Sequence, residues 1–224
     1  MTPRDLFDAA HALLLDFDGP IAALMPPPEN EEAATAARQA IPDQDLPTEI
    51  ATTSDHLAVL RWARANCAPE VLLGVEAACT NTELLAARSC DESPDAAALF
   101  EYAGSRRIPV AIVSNNSIAA VRHFLERRGW EGRITAFACR TPETVDSLKP
   151  SPQLLLNAMR VLGIEPADAL FVGDSPSDAR AGQAAAVTIV GIAKDRFRER
   201  QLLEAGARAV VARGCISRLF AQQG

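Results

Sequence analysis

Six short apolar runs recur along the chain, ALLL (12–15), PVAIV (109–113), ITAFA (134–138), ALFV (169–172), VTIV (187–190) and AVV (209–211), with helical patterns between them. None keeps the strict apolar–polar alternation of a half-exposed strand, so each needs cover on both faces. Bare strands alternating with helices define an α/β class with a parallel sheet flanked by helices. The clearest helix spans about Pro152–Leu162, where Ser151 is placed to cap it, Pro152 suits its first position and Gly163 its left-handed exit. Leu154, Leu155, Ala158, Met159 and Leu162 supply its apolar face.

One interval breaks the alternation. Residues 22–92 hold no strand-like run; Pro26-Pro27-Pro28 reads as a stiff connector and 41–47 (IPDQDLP) as a loop. Helical stretches are predicted near 30–40, 54–66 and 69–88, the last opening at Pro69. The division is therefore a core from 1–21 and 93–224, and an all-α insertion, 22–92, after the first strand. Charge divides the same way: twelve acids and four arginines give 22–92 a charge of −8, against −7 for all 224 residues, so the remainder is slightly positive. A net negative chain is a poor match for nucleic-acid phosphates. No run approaches the roughly 18 apolar residues of a membrane span. The opening MTPRDLFDAA lacks a signal-peptide apolar stretch. Cysteines 67, 79, 90, 139 and 215 form no CxxC pair, which argues against a disulfide framework and a zinc site. The expectation is a soluble cytoplasmic protein with no nucleic-acid or membrane partner.

Four polar clusters accompany the runs. Asp16-Phe17-Asp18-Gly19 follows the first, Ser114-Asn115-Asn116 the second, Lys149 precedes the capped helix, and Gly173-Asp174-Ser175-Pro176-Ser177-Asp178 follows the fourth. In an open parallel sheet, residues beyond the carboxyl ends of the strands share one crevice. There Asp16, Asp18, Asp174 and Asp178 would crowd together with one lysine. Two like charges about 4 Å apart cost roughly 4 kcal/mol at an effective dielectric near 20. Either carboxyl pKa values rise or a cation binds, and oxygen ligands without histidine or cysteine favour Mg2+. Ser114 and Lys149, with the amides of the Gly19 turn and Asn115, are suitable donors to phosphate oxygens. An aspartate beside such a cradle can attack phosphorus, and a second carboxylate can move the protons. Lys149 is one of only two lysines in a chain that otherwise uses arginine, which marks a site needing a compact ammonium.

DFDGP (16–20), VSNNS (113–117), LKPSP (148–152) and VGDSPSDA (172–179) together resemble the four motifs of the haloacid dehalogenase superfamily, closest to its phosphoglycolate-phosphatase-like branch. The stretches 162–193 and 204–220 resemble the same branch. The resemblance implies a Rossmann-like core with a helical cap inserted between the first and second motifs. It implies a Mg-dependent phosphatase that hydrolyses a small phosphorylated metabolite through an aspartyl-phosphate. Asp16 matches the nucleophile and a metal ligand, and Asp18 the general acid/base that also offers a carbonyl to the metal. Ser114 and Asn115 match the phosphate-binding motif, Lys149 the lysine that holds nucleophile and phosphate, and Asp174 a direct metal ligand. Asp178 matches a residue that orients metal-bound water or its neighbours. Two departures stand out: Pro20 replaces a common threonine or valine, and Ala186 replaces a common glycine.

The core motifs leave two alternatives open: a phosphosugar mutase working through the same intermediate, and a non-catalytic phosphate-binding regulatory protein. Residues 22–92 contain no lysine, which disfavours C–P cleavage through a cap lysine. Arg38, Arg61, Arg64, Arg88 and His56 are the insertion's candidates for anionic groups, although none of the three histidines has ligand spacing. Met25, Trp62 and Trp130 read as packing residues, and Ser175 and Ser177 as turn formers.

Overall fold

The computed structural model describes residues 1–42 and 46–221, so the centre of the expected 41–47 loop lies outside the described residues. Among the described residues, six strands form a single sheet: β1 (Ala12–Leu15), β2 (Val110–Ser117), β3 (Ala136–Arg140), β4 (Ala169–Gly173), β5 (Thr188–Ala193) and β6 (Ala209–Ala212). Every neighbouring pair is parallel, and the spatial order is β3-β2-β1-β4-β5-β6. All residues of β1 and β4 are buried, as their bare apolar runs require. Successive residues feed two cores. Leu14, Ala111, Val113 and Phe171 point to one, and Leu13, Leu15, Ile112 and Val172 to the other.

The helices are α1 (Pro3–Ala9), α2 (Glu29–Gln39), α3 (Thr48–Thr52), α4 (His56–Asn66), α5 (Pro69–Ala87), α6 (Ala96–Arg106), α7 (Ile118–Arg127), α8 (Gln153–Leu162), α9 (Pro176–Ala184), α10 (Arg196–Glu204) and α11 (Ile216–Ala221). Buried residues of α8 and α9 line the first core, and those of α1, α6, α7 and α11 the second. The helix expected from 152 begins one residue later. Pro152 takes the cap position, the Ser151 hydroxyl still accepts from Gln153 N at 3.3 Å, and Gly163 exits left-handed at φ 67°.

The insertion after β1 consists of α2 to α5, with α2, α4 and α5 packed on one another and no strand among its described residues. The short α3 escapes the sequence reading because five residues carry too little periodicity. Asp55 caps α4 by accepting from Leu57 N, and Pro69 opens α5. Val59, Leu60, Ala63, Val75 and Cys79 join the first core, so insertion and sheet share one hydrophobic surface. No helix of the described residues is long and apolar enough to cross a membrane, and all five cysteines are free.

The strand order reverses at β1: the chain builds outward through β2 and β3, then returns to β1's other edge with β4. The carboxyl ends of β1, β2 and β4 therefore open on one crevice, the usual ligand position in such sheets. Beyond them the α9–β5 turn carries a local cost. Ala186 sits at φ 58°, a conformation that suits glycine. Ala186→Gly should raise the unfolding free energy by roughly 0.5–1 kcal/mol. A urea midpoint that falls instead would show that the turn is not strained.

Candidate active site

At the end of β1, Asp16 is buried, 7% exposed, and its Oδ1 accepts from Phe17 N at 2.7 Å. Lys149 arrives from the loop after β3 and lies 2% exposed beneath it. Its Nζ is 2.7 Å from Asp16 Oδ1 and 2.7 Å from Asp178 Oδ1, and it donates to Val113 O at 2.9 Å. Three oxygens thus surround the ammonium, the Val113 carbonyl as hydrogen-bond acceptor and the two carboxylates as ion-pair partners. The lysine backbone is fixed too: Asn115 Oδ1 accepts from Lys149 N at 2.8 Å while Asn115 Nδ2 donates to Lys149 O at 3.0 Å.

The fourth cluster enters from the end of β4. Asp178 stands in the first turn of α9, where its Oδ2 accepts from Asp174 N, Ser175 N and Ser175 Oγ. Ser175 returns the favour by accepting from Asp178 N, which completes a capping box. Ser175 thus caps a helix, and Ser177 bonds its hydroxyl at 2.8 Å. Asp174 approaches β1 closely: a Cβ on Gly19 (φ 107°) would lie 2.3 Å from Asp174 Oδ2. Glycine is needed there for space as well as for backbone conformation.

Four carboxylates around one lysine leave excess negative charge in a buried place. Burial first, and the Asp178 carboxylate next, push the Asp16 carboxyl well above its ordinary range. Asp174 is pushed up to about 7 by burial, reinforced by Asp178 and Asp18. Burial also raises Asp18, against the opposing hydrogen bonds from Leu24 and Met25 N–H. For Lys149, burial opposes the charge, yet Asp16 and Asp178 outweigh it and hold the ammonium protonated. Carboxylate oxygens of Asp16, Asp174 and Asp178 lie within 4.8 Å of one another, an all-oxygen donor set that fits a hard divalent cation. Asp18 is outside that set; its Oδ1 accepts from Leu24 N at 2.9 Å.

Two of the expected phosphate donors are otherwise engaged. The Gly19 amide donates to Ala22 O at 2.8 Å instead of facing open space, because the chain turns back on itself there. The fully buried Ser114 hydroxyl donates to Asn116 Oδ1 at 3.0 Å. Ser114 and Asn115 also lie within β2, whose register shifts between Ser114 and Ser117. It is Asn115 and Asn116 that line the crevice.

That crevice is a cavity of about 290 Å³. Asp16, Asp18, Lys149, Asp174 and Asp178 line it from the sheet side, with Ser175 and Ser177. Met25, Asn30, Ser54, Asp55, His56 and Leu57 line it from the insertion. None of the four insertion arginines is among them. Arg38 is tied to Thr53 O, Arg64 forks onto Asp146, Arg61 lies 3.7 Å from Asp55, and Arg88 is on the surface. Cys79 and Cys139, both pushed up to about 12 by burial, offer no thiolate nucleophile.

A second buried polar cluster joins the insertion to the sheet, and of its members only His56 was among the expected residues. Glu83 of α5 is 0% exposed; its Oε1 meets His56 Nε2 at 2.9 Å and Arg140 Nη1 at 3.0 Å. Its Oε2 accepts from Ser117 N at 2.7 Å and Arg140 Nη2 at 2.9 Å. Although burial opposes it, Arg140 and His56 hold the Glu83 carboxyl down at about 2. A signal existed: Glu76 and Glu83 fall on the stripe of α5 that also carries Leu72, Val75, Cys79 and Ala86.

The model of the haloacid dehalogenase-like hydrolases matches residues 10–186 of this chain. The chain belongs to that family. Among curated relatives, the N-acetylmuramic acid 6-phosphate phosphatase of Pseudomonas aeruginosa is 32% identical over 96 residues, 43% of this chain and 40% of that protein. Phosphoglycolate phosphatase 1 of the same organism is 39% identical over 69 residues, 31% of this chain and 25% of that protein. The matched segments thus span less than half of these relatives. The solved structure of CbbY from Rhodobacter sphaeroides in complex with phosphate shares the fold at a TM-score of 0.66 and 21% identity, over 90% of this chain and 93% of that one.

The raised Asp174 carboxyl has a definite sign in stability. With about 7 in the folded protein against 3.8 ordinarily, the folded state holds a proton that the unfolded chain has released. That contribution is full below about pH 4 and is lost as pH rises through about 7. In chelator, thermal midpoints should therefore fall from pH 5 to pH 8, Asp174→Asn should flatten the decline, and added Mg2+ should restore stability most at pH 8. Equal slopes for the two proteins would contradict the assignment.

Proposed function

We propose that the protein is a Mg-dependent phosphatase that hydrolyses a small phosphorylated metabolite through an aspartyl-phosphate on Asp16, with residues 22–92 as a cap over the site. The observation that carries this reading is the Lys149 ammonium, 2.7 Å from both Asp16 and Asp178, two carboxylates that cluster with that of Asp174. The names of the phosphatase relatives support the reaction class.

Asp16 Oδ1 is engaged by Lys149 Nζ and Phe17 N, which leaves Oδ2 as the attacking oxygen. Oδ2 forms a bond to phosphorus as the ester P–O bond breaks, and protonated Asp18 gives its proton to the departing alkoxide. Burial suits Asp18 to this, since it keeps the proton at higher pH than a solvated carboxyl does. Asp18, now ionised, takes a proton from water as that water attacks phosphorus. The P–Oδ2 bond then breaks and releases phosphate, and Asp18 is protonated again.

Asp16 and Asp174 would hold the Mg2+, the Asp18 backbone carbonyl completing the protein's share, while Asp178 pairs with Lys149 through Oδ1 and accepts from the Asp174 and Ser175 amides through Oδ2, a supporting role. When bound, the ion supplies the positive charge that lets adjacent carboxylates ionise and neutralises phosphoryl oxygens. Lys149 positions Asp16 and exchanges one protein acceptor for a phosphate oxygen when substrate enters. Asn115 holds the lysine loop, and the buried Ser114 hydroxyl would have to give up its bond to Asn116 to bind phosphate. The Gly19 amide, already bound, is not part of the cradle.

The test is phosphate release from an aryl phosphate and a panel of metabolite monoesters in Mg2+. Asp16→Asn should lower kcat by about 10³-fold or more, Asp18→Asn by about 10²–10⁴-fold, and chelation should abolish turnover. Undiminished turnover by Asp16→Asn would end the proposal.

A further inference from the structure

The phosphatase reading gives no role to the one histidine of the cavity wall. His56, first residue of α4, is 5% exposed and lines the cavity. Its Nε2 is bound by Glu83, a carboxylate itself clamped by Arg140 and the Ser117 amide. The ionised Glu83 can only accept, so the proton between them belongs to Nε2. That fixes the tautomer and leaves Nδ1 with no hydrogen-bond partner among the described residues. A histidine ring aligned by a carboxylate and left with a single open nitrogen is arranged as a ligand-contacting group.

The composition of the cavity wall says what it meets. Among the described residues lining the cavity, only Lys149 and His56 can carry positive charge, and the Lys149 ammonium is already paired with Asp16 and Asp178. Asp16, Asp18, Asp55, Asp174 and Asp178 line it too. A second anionic group on a substrate would meet carboxylates, and no arginine is there to receive it. A hydroxyl, by contrast, complements Nδ1 in either state: it donates to the neutral ring and accepts from the imidazolium. A volume of about 290 Å³ has room for a small molecule.

We propose that His56, aligned by the Glu83–Arg140 pair, binds a hydroxyl on the alcohol part of the substrate, which is therefore a small hydroxylated phosphate monoester with no second anionic group. This rests on the phosphatase reading for its reaction, while the role of His56 is a matter of binding. Glu83 is a positioning residue, acting through the ring it holds.

The experiment compares glycerol 3-phosphate, phenyl phosphate (no polar group on its ring) and carboxymethyl phosphate with Mg2+ present. The ratio of kcat/KM for glycerol 3-phosphate over phenyl phosphate should fall at least tenfold in His56→Ala, mainly through KM, and less in His56→Gln, which keeps a hydrogen-bonding group. An equal loss on both esters in both variants, or no loss, overturns the proposal. A wild-type preference for carboxymethyl phosphate that His56→Gln abolishes would also overturn it, because His56 would then serve an anion. If wild-type protein turns over none of the esters, the phosphatase reading fails by itself. The same affinity ratio measured by calorimetry then decides the role of His56. Ring 15N shifts should report His56 protonated at Nε2 in the wild type; an Nδ1–H tautomer would contradict the alignment by Glu83.

Discussion

A single ammonium group shared between two buried carboxylates holds this site together. Lys149 Nζ lies 2.7 Å from both Asp16 and Asp178, and it donates to the backbone of β2. Asp16 hangs from β1, Asp178 from the helix after β4, and Lys149 from the loop after β3. Removing the lysine would leave uncompensated buried charge, a loss of about 3–5 kcal/mol for pairs of this kind. One lysine cannot neutralise four acids, and the residue of that imbalance is visible at Asp174, whose carboxyl is pushed up to about 7. The same imbalance that destabilises the bare site makes it receptive to a divalent cation and to the phosphoryl group such a cation accompanies.

The sheet order makes the convergence possible. Because β2 and β4 flank β1, residues more than 150 positions apart in the chain share one crevice. The insertion closes it from the other side with α4 and the start of α2. Its ties to the sheet are of two kinds. Arg64 and Asp146 form an exposed fork, weak in water, whereas Glu83 and Arg140 are 0% exposed and cannot separate cheaply. Any opening of the cavity has therefore to spare the end of α5 that carries Glu83.

The strands were legible because parallel strands buried on both faces leave bare apolar runs, and β1 matches ALLL residue for residue. The acidic clusters were legible because they sit directly after those runs, at positions that a parallel sheet gathers. Hydrogen-bond commitments were not. That the Gly19 amide serves Ala22, and the Ser114 hydroxyl Asn116, depends on how the chain folds back, which residue identity does not encode. The arginines of the insertion misled for a related reason: long cationic side chains are recruited by whichever carboxylate or carbonyl lies within reach, and for Arg38 and Arg64 that is not the cavity. The Glu83–Arg140–His56 cluster is assembled from three distant segments with no spacing in common, and only the acids on the apolar stripe of α5 hinted at it.

The most direct measurement is chemical capture of the covalent intermediate. Borohydride added during turnover of a monoester reduces an acyl phosphate to an alcohol, so peptide mass spectrometry should find homoserine at position 16. Homoserine at position 18 or 174, or none under conditions of rapid phosphate release, would contradict the account.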